Sequence, residues 1–321
     1  MERRPLGSTG AMVSRLGLGT VTWGRGMDPG DADDMIRAFV DAGGSLIETS
    51  DAHADGAVES LLGKVVSDPG LRDECFVVTR AGTGGQSRRP VDTSRQHLLA
   101  TLDASLSRLG AGHIDLWLLD AWDDATPIDE ALDAMGVAVM SGRVHYSGIA
   151  FTRGWQVGTA AVCAARPPHH RPLAAAATAY SLVMREAEAE ILPAARAHGL
   201  GVLACAPLGY GVLTGKYRHG TPPDSRGAGE KHGPGVRRLL DDHGRRVVEG
   251  VVAAAQGLDV TPAEVSLAWV RDRPEVTSVV IGARTVHHLR TALESESVTL
   301  PDEIRSALDE VSATRERVDL R

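Results

Sequence analysis

The feature that most constrains the fold of this chain is a repeated alternation between short apolar runs and longer amphipathic segments. Apolar runs such as residues 15–20 and 75–80 are followed by stretches whose apolar positions recur at spacings of three and four. These stretches predict helices over residues 31–43, 57–66, 92–110 and 129–142. The alternation occurs eight times along the chain. Strands that alternate with helices predict a parallel sheet, and eight such units favour a closed (β/α)8 TIM barrel over an open doubly wound sheet.

No long linker interrupts the alternation, so we expect one barrel domain over residues 1–321. Residues 218–234 are rich in glycine, proline and charge, and they predict a mobile loop after the seventh strand, either a substrate lid or a surface insert. The first strand is not followed by the G-x-G-x-x-G turn of a dinucleotide-binding Rossmann fold. The barrel therefore remains the favoured architecture.

Charge and composition exclude several classes of partner. The net charge of −8 argues against nucleic acid, which needs a basic surface. No apolar run approaches the roughly 18 residues of a membrane span, and the first residues lack the apolar stretch of a signal peptide. Three widely spaced cysteines argue for reduced thiols and against a structural zinc site. We expect a cytoplasmic protein with a small-molecule partner, and the sequence leaves the oligomeric state open.

Charged side chains follow three neighbouring predicted strands. Strand two ends at Glu48 with His53 in the next loop, strand three ends at Arg80, and strand four ends at Asp120. Such barrels keep their sites at the carboxyl ends of the strands. Buried charges without partners cost several kcal/mol, so these groups must pair with each other, with water or with a ligand. A structural salt-bridge cluster is one interpretation, but the imidazole favours an acid–base site. We expect Arg80 to hold Glu48 through both oxygens.

Further residues near the strand ends are candidates for binding a substrate. The predicted pocket walls are Trp23, Trp122, Phe151, Cys205 and Tyr210, although each aromatic can equally be loop packing. A divalent metal on Glu48, Asp51, His53 and Asp120 is disfavoured because Arg80 lies among them, so no metal is predicted. His97, His113 and His198 have no partner that the sequence identifies.

Several motifs resemble those of the aldo-keto reductases along nearly the whole chain. They are "RPLGSTGAMVSRLGLGTVTWG" at residues 4–24, "ESLLGKVV" at 59–66, "SLSRLGAGHIDLWLLDAWD" at 105–123, the segment 179–217 and "VVIGARTVHHL" at 279–289. The resemblance implies a (β/α)8 barrel closed at the bottom by an N-terminal hairpin, here residues 2–14. It also implies NADPH-dependent reduction of aldehydes and ketones without a Rossmann motif.

The resemblance places substitutions at all four positions of the family's Asp-Tyr-Lys-His catalytic tetrad. The matching positions are Glu48, His53, Arg80 and Asp120. The residues expected to hold and stack on the nicotinamide are also replaced, by Ala150, Phe151, Ala177 and Cys205. Gly282 and Arg284 of the phosphate-binding end are kept, but the pair that grips adenine is Thr291-Ala292. The phosphate end of the cofactor site is therefore expected to persist better than the nicotinamide end.

From these observations the sequence favours a cofactor-independent acid–base enzyme on a small carbonyl- or hydroxyl-bearing metabolite. It would be an isomerase, a dehydratase or lyase, or a cyclase, with specialised metabolism as one setting. In this hypothesis His53 moves the proton, Asp120 or Glu48 orients it, and Arg80 stabilises an enolate or carboxylate. Gly282 and Arg284 would then be vestigial. Two alternatives remain: an NADPH-dependent oxidoreductase with His53 as substitute proton donor, and a non-catalytic regulatory barrel.

Overall fold

A computed structural model describes residues 1–24, 27–83, 89–167, 171–230 and 233–313. An antiparallel hairpin of β1 (Arg3–Pro5) and β2 (Met12–Ser14) precedes a closed parallel barrel, which in the described part of the chain has eight strands. The barrel strands are β3 (Leu16–Gly19), β4 (Leu46–Glu48), β5 (Phe76–Ala81), β6 (Ile114–Leu119), β7 (Val144–Ala150), β8 (Ala175–Ala179), β9 (Gly201–Cys205) and β10 (Val276–Gly282). Each strand pairs with the next, and β10 pairs with β3. The predicted (β/α)8 TIM barrel with an N-terminal hairpin is confirmed.

Helices surround the barrel strands. The α-helices are α1 (Pro29–Asp41), α2 (Ala57–Val66), α3 (Pro69–Glu74), α4 (Arg95–Leu109), α5 (Ile128–Met140), α6 (Gly154–Ala165), α7 (Ile191–Ala197), α8 (Gly233–Leu239), α9 (Asp242–Leu258), α10 (Pro262–Arg271), α11 (Val286–Glu294) and α12 (Asp302–Val311). Short 3₁₀ segments lie at Glu186–Glu188, Gly209–Thr214, Arg226–Ala228 and Ser295–Ser297. The predicted helices fall within two or three residues of these bounds. Helix α4 begins later than predicted, after Ser94.

The apolar side chains form an inner and an outer core. The inner core fills the barrel and includes Leu46, Val78 and Leu118, whereas the outer core packs the other strand face against the helices. Because side chains alternate along a strand, the residue two positions beyond an inward-pointing one also points inward. The residues two positions beyond these three are Glu48, Arg80 and Asp120, so the period of the strands directs all three charges to the barrel axis.

The hairpin closes the amino-terminal end of the barrel. Leu6 is fully buried in the inner core, and Ser8 N–H donates to the carbonyl of Gly199 at 2.8 Å. Gly7 has a φ of +58°, and a Cβ there would lie 2.4 Å from the Gly199 oxygen. Only glycine fits this close approach without strain. The opposite end of the barrel is therefore the one left available for a site.

The segment 218–234 comes after β9, the seventh strand of the barrel. Its described residues include the 3₁₀ turn Arg226–Ala228, and Gly227 N–H donates to the Tyr217 hydroxyl at 3.0 Å. Arg218 pairs with Glu249 of α9 at 2.6 Å. Lys231 and His232 lie outside the described residues. Mobility of this segment stays a prediction. None of the helices in the described ranges is long and apolar enough to cross a membrane.

Candidate functional site

Four side chains meet at the carboxyl-terminal end of the barrel, with the guanidinium of Arg80 at their centre. Arg80 Nε donates to Glu48 Oε1 at 2.7 Å, and Nη1 donates to Asp120 Oδ1 at 2.5 Å. Arg80 Nη2 lies 3.1 Å from His53 Nε2. We call these four residues the rim cluster. The tetrad-matched residues are thus brought together in space, whereas their catalytic roles stay predictions.

Arg80 bridges two carboxylates, which differs from the expected bidentate grip on Glu48 alone. Asp120 follows β6 directly, and its second oxygen accepts a hydrogen bond from Thr83 Oγ1 at 2.7 Å. Glu48 ends β4 and Asp120 follows β6, the strands on either side of the strand that carries Arg80. The planar guanidinium therefore reaches both carboxylates. A bridging arginine of this kind fixes the spacing of the two acids.

The Arg80 contact also determines the tautomer of His53. A guanidinium can only donate hydrogen bonds, so Nε2 of His53 acts as the acceptor and the ring proton lies on Nδ1. The ring is mostly buried, with 8% of the residue exposed. The His53 ring is therefore oriented by Arg80 through Nε2.

Burial shifts the protonation equilibria of the acids in this region. Burial raises the pKa of Glu48, although the adjacent Arg80 opposes this. Burial also raises the pKa of Asp51 to about 7, with a further contribution from the charge of Glu59. Burial acts to lower the pKa of Arg80, but Glu48 and Asp120 raise it, so the guanidinium stays cationic. The region thus contains a fixed cation and an acid that titrates near neutrality.

Phe151 and Cys205 flank the guanidinium. The centroid of the Phe151 ring lies 4.9 Å from Arg80 Cζ, a cation–π distance, and the residue is 44% exposed. Burial, followed by the charge of Glu48, raises the pKa of the Cys205 thiol. A protonated buried thiol is a poor nucleophile, so the structure gives no support to covalent chemistry at Cys205.

The other predicted substrate-binding aromatics lie in different environments. Trp122 makes an edge-on contact with Trp155, with ring centroids 5.2 Å apart, and Trp155 is 55% exposed. Sequence reasoning missed Trp155, although its position four residues after Phe151 was a usable signal. Trp23 is buried in the outer core. The ring of Tyr210 lies 5.9 Å from the guanidinium carbon of Arg226 in a neighbouring cavity.

That cavity has a volume of about 470 Å³ and lies between the β9 and β10 ends. Its walls include the predicted Gly282 and Arg284, the segment Ala206–Leu208 directly after Cys205, and the start of α11. Its basic residues are Lys216, Arg226, Arg284, His287 and His288. Within the described chain, no acidic residue lines it. Cations and a helix N-terminus together suit a ligand with phosphate groups.

The sequence indicated only part of this basic wall. Lys216 and Arg226 were missed as site residues, although lysine is scarce in this chain and both positions flank or lie within the segment 218–234. Burial lowers the pKa of Arg226. Arg284 Nη1 donates to the Asp224 carbonyl at 3.0 Å, which ties the loop to the end of β10. The loop therefore contributes directly to the cavity.

Comparisons with known proteins agree with this architecture. The profile of the Aldo/keto reductase family matches residues 15–313. The chain is 34% identical over 287 residues to a "Probable voltage-gated potassium channel subunit beta" from Oryza sativa subsp. japonica, covering 88% of this chain and 87% of the relative. It is 31% identical over 301 residues to an Arabidopsis thaliana protein of the same name, covering 93% and 92%.

A bacterial relative is equally similar over the full barrel. The chain is 32% identical over 328 aligned residues to the "Uncharacterized oxidoreductase YrpG" of Bacillus subtilis (strain 168), covering 97% of this chain and 96% of the relative. The family match spans nearly all of the described barrel, and the relatives align over almost their whole lengths. On these grounds the chain belongs to the aldo/keto reductase family.

Proposed function

We propose that this protein is an NADP(H)-dependent oxidoreductase that acts on the carbonyl group of a small molecule. The observation that carries the proposal is the basic cavity of about 470 Å³, whose wall begins at Ala206, the residue directly after Cys205. Family membership and a relative named as an oxidoreductase support it. The sequence alone favoured a cofactor-independent acid–base enzyme. Family membership and the named relative give more support to the alternative, an NADPH-dependent oxidoreductase.

The cavity residues fit the phosphate half of the cofactor. Lys216, Arg226 and Arg284 would neutralise the pyrophosphate and the 2′-phosphate, and backbone N–H groups at the start of α11 add donors. At the nicotinamide end, Ala150 and Ala177 offer no polar side chain, and Cys205 leaves more room than an aromatic ring. We expect that half of the cofactor to be held mainly by apolar contacts. When bound, the cofactor would supply or accept the hydride.

The chain itself supplies charge stabilisation and a hydrogen bond. A carbonyl oxygen that gains negative charge beside the rim cluster is stabilised by Arg80, which cannot release its own proton. His53 would give the proton to that oxygen, because its ring is oriented beside Arg80 through Nε2. Glu48 and Asp120 hold Arg80 in place and act as positioning residues.

Fluorescence titration with NADPH tests this proposal on the full chain. We expect micromolar binding by the native protein and at least tenfold weaker binding by Arg226→Ala and Arg284→Ala, because each loses a cation that faces phosphate. Arg218→Ala is the matched control, since that loop arginine pairs with Glu249 outside the cavity. Absence of binding at millimolar NADPH would contradict the proposal.

One observation still favours a second function. The polar nicotinamide-holding side chains are replaced at Ala150, Phe151 and Ala177, while the four rim positions all carry polar, ionisable groups. This combination supports the isomerase, lyase or cyclase interpretation, which predicts turnover without NADP(H). The relatives named as probable channel subunits support a regulatory barrel, which predicts no turnover. A cytoplasmic location and a role in specialised metabolism stay predictions from sequence.

A further inference from the structure

A second group of ionisable side chains lies at the opposite, amino-terminal end of the barrel. His113 directly precedes β6, Asp115 is its second residue, and His145 is the second residue of β7. In the register of these strands Ile114 is level with Val144 and Leu116 with Tyr146, so Asp115 and His145 are neighbours. We call His113, Asp115 and His145 the basal triad. His113 and Asp115 lie within the motif at residues 105–123, but neither the resemblance nor the proposed function gives the triad a role.

The nitrogen and oxygen atoms of the basal triad converge on one point. His113 Nε2 lies 3.4 Å and His145 Nδ1 lies 3.6 Å from the same oxygen, Oδ1 of Asp115. All three potential ligand atoms lie within 4.8 Å of one another. With zinc–ligand bonds of about 2.0–2.1 Å, tetrahedral geometry separates neighbouring ligand atoms by about 3.3 Å. The two measured separations are therefore close to those between ligands of one ion.

The outer contacts of Asp115 turn that oxygen toward the two imidazoles. Its other oxygen, Oδ2, accepts the Val77 N–H at 2.8 Å and pairs with Arg72 at 2.9 Å. Hydrogen bonds that occupy the distal oxygen of a ligating carboxylate are typical of metal sites, because they fix its orientation. The rings of His113 and His145 stack with centroids 4.0 Å apart and an interplanar angle of 25°, so one imidazole must rotate before both nitrogens point at a single ion. The His145 side chain, which is 48% exposed, is the member that would turn.

Arg72 is the group that an ion must displace. Its Nη2 lies 2.9 Å from His113 Nε2, so binding exchanges this contact for a metal bond. Arg72 keeps other acceptors, including the carbonyls of Cys75 at 2.9 Å and His113 at 3.2 Å. The positive charge of Arg72 weakens the binding of any metal ion at the triad. It also disfavours hard cations such as Ca²⁺, which need several carboxylates. Two imidazoles and one carboxylate suit a transition ion such as Zn²⁺.

We propose that the basal triad binds one divalent transition-metal ion of the Zn²⁺ class, with water in the remaining coordination position. Three protein ligands and an open position are a common zinc arrangement. The ion would link the starts of β6 and β7, and through Val77 it would also brace β5. It would therefore stabilise the barrel end that the hairpin covers, far from the rim cluster.

Calorimetric titration of the full chain with ZnCl2, without a polyhistidine tag, tests the proposal. We expect one equivalent to bind in the micromolar range and to raise Tm. His145→Ala should weaken this binding at least tenfold and remove the Tm shift, because the exposed ring is lost without disturbing the core. His113→Ala should do the same.

The matched control is a double variant, His287→Ala with His288→Ala, which removes another neighbouring imidazole pair with centroids 6.1 Å apart. It should retain the native equivalent of zinc. Unchanged binding in His145→Ala, or loss confined to the control, would overturn the proposal. Because His145 lies away from the cavity, NADPH binding by His145→Ala should equal that of the native protein whatever the outcome for zinc.

Discussion

The two ends of this barrel carry similar sets of groups in different settings. At the carboxyl-terminal end, Arg80 contacts Glu48, Asp120 and His53 inside the barrel, whereas at the amino-terminal end Arg72 contacts Asp115 and His113 outside it. The Arg80 side chain is 11% exposed, while the imidazoles of the basal triad are 36% and 48% exposed. An arginine with carboxylate and imidazole partners is thus enclosed at the carboxyl-terminal end, whereas the imidazoles are accessible to solvent at the amino-terminal end.

The backbone differs between the ends as well. The non-glycine residues with positive φ in the described ranges are Ala54, Asp55, Phe151, Ala206, Tyr210 and Asp259. All except Asp259 follow the carboxyl ends of β4, β7 and β9, around the rim cluster and the cavity. Left-handed backbone at such residues costs about 1–2 kcal/mol each. Backbone strain is therefore concentrated at the carboxyl-terminal end, where a ligand is expected. Four sets of substitutions test how the two ends of the barrel differ.

The largest expected effect comes from removing the central arginine at each end. Arg80→Met leaves two buried carboxylates without their cation, and we expect it to lower the free energy of unfolding by about 3–5 kcal/mol. Arg72→Met should cost less, about 1–3 kcal/mol, because the buried Asp115 keeps the Val77 N–H and lies beside the partly exposed imidazoles of His113 and His145. Urea denaturation measures both. Equal losses would remove the distinction between an enclosed and an exposed cluster.

The second effect concerns catalysis rather than stability. His53→Ala should reduce kcat about 10²–10⁴-fold, because it removes the hydrogen-bond donor beside Arg80. The Kd for NADPH and the Tm should change little, since the cavity and both cores are untouched. His145→Ala serves as the control at the other end and should leave kcat unchanged. A His53→Ala variant with native kcat would disprove the assigned role of His53.

The third effect is a pH dependence of stability that arises from Asp51, in the loop between β4 and α2. Asp51 has a pKa raised to about 7, so between about pH 4 and 7 the folded state binds its proton while the unfolded state releases it. The free energy of unfolding therefore falls as pH rises through this window. Asp51→Asn should be more stable than the native protein at pH 8 by about 2 kcal/mol, and this difference should vanish near pH 4.

Exposed Asp34 on α1 provides the control for that measurement. Asp34→Asn should not reproduce the gain in the free energy of unfolding at pH 8, because its side chain is exposed in the folded state. A difference between Asp51→Asn and the native protein that stays constant from pH 4 to 8 would exclude titration of Asp51 as its cause.

The smallest effect tests backbone strain at the rim. Ala206 has a φ of +52° directly after β9, so Ala206→Gly should raise the free energy of unfolding by less than about 1 kcal/mol. Ala131→Gly within α5 is the control, where glycine should instead lower it by about 1 kcal/mol or more. Thermal unfolding resolves the opposite signs. Destabilisation by both variants would argue that Ala206 stores no strain.

Sequence reasoning predicted the rim cluster because three of its residues stand at the ends of separate apolar runs, and His53 was added by its match to the tyrosine position of the family motif. Glu48, Arg80 and Asp120 need only the strand period and parallel alignment to meet. The basal triad was missed for the converse reason: His113 and His145 lie 32 positions apart, and only the register of β6 and β7 makes them neighbours. The roles of Lys216 and Arg226 were missed because loop geometry carries no period.

The sequence by itself determined the eight-unit barrel, the hairpin and the inward direction of the rim charges, because these follow from hydrophobic periodicity and from motifs along the chain. Only the tertiary structure decided which oxygen of which acid meets Arg80, which nitrogen of His53 does so, and which basic residues line one cavity. These depend on strand register and on loop conformation, which are set by packing between residues distant in sequence. The proposed use of NADP(H) rests first on family membership and on the relative named as an oxidoreductase, and the folded cavity supplies the residues that would hold the phosphates.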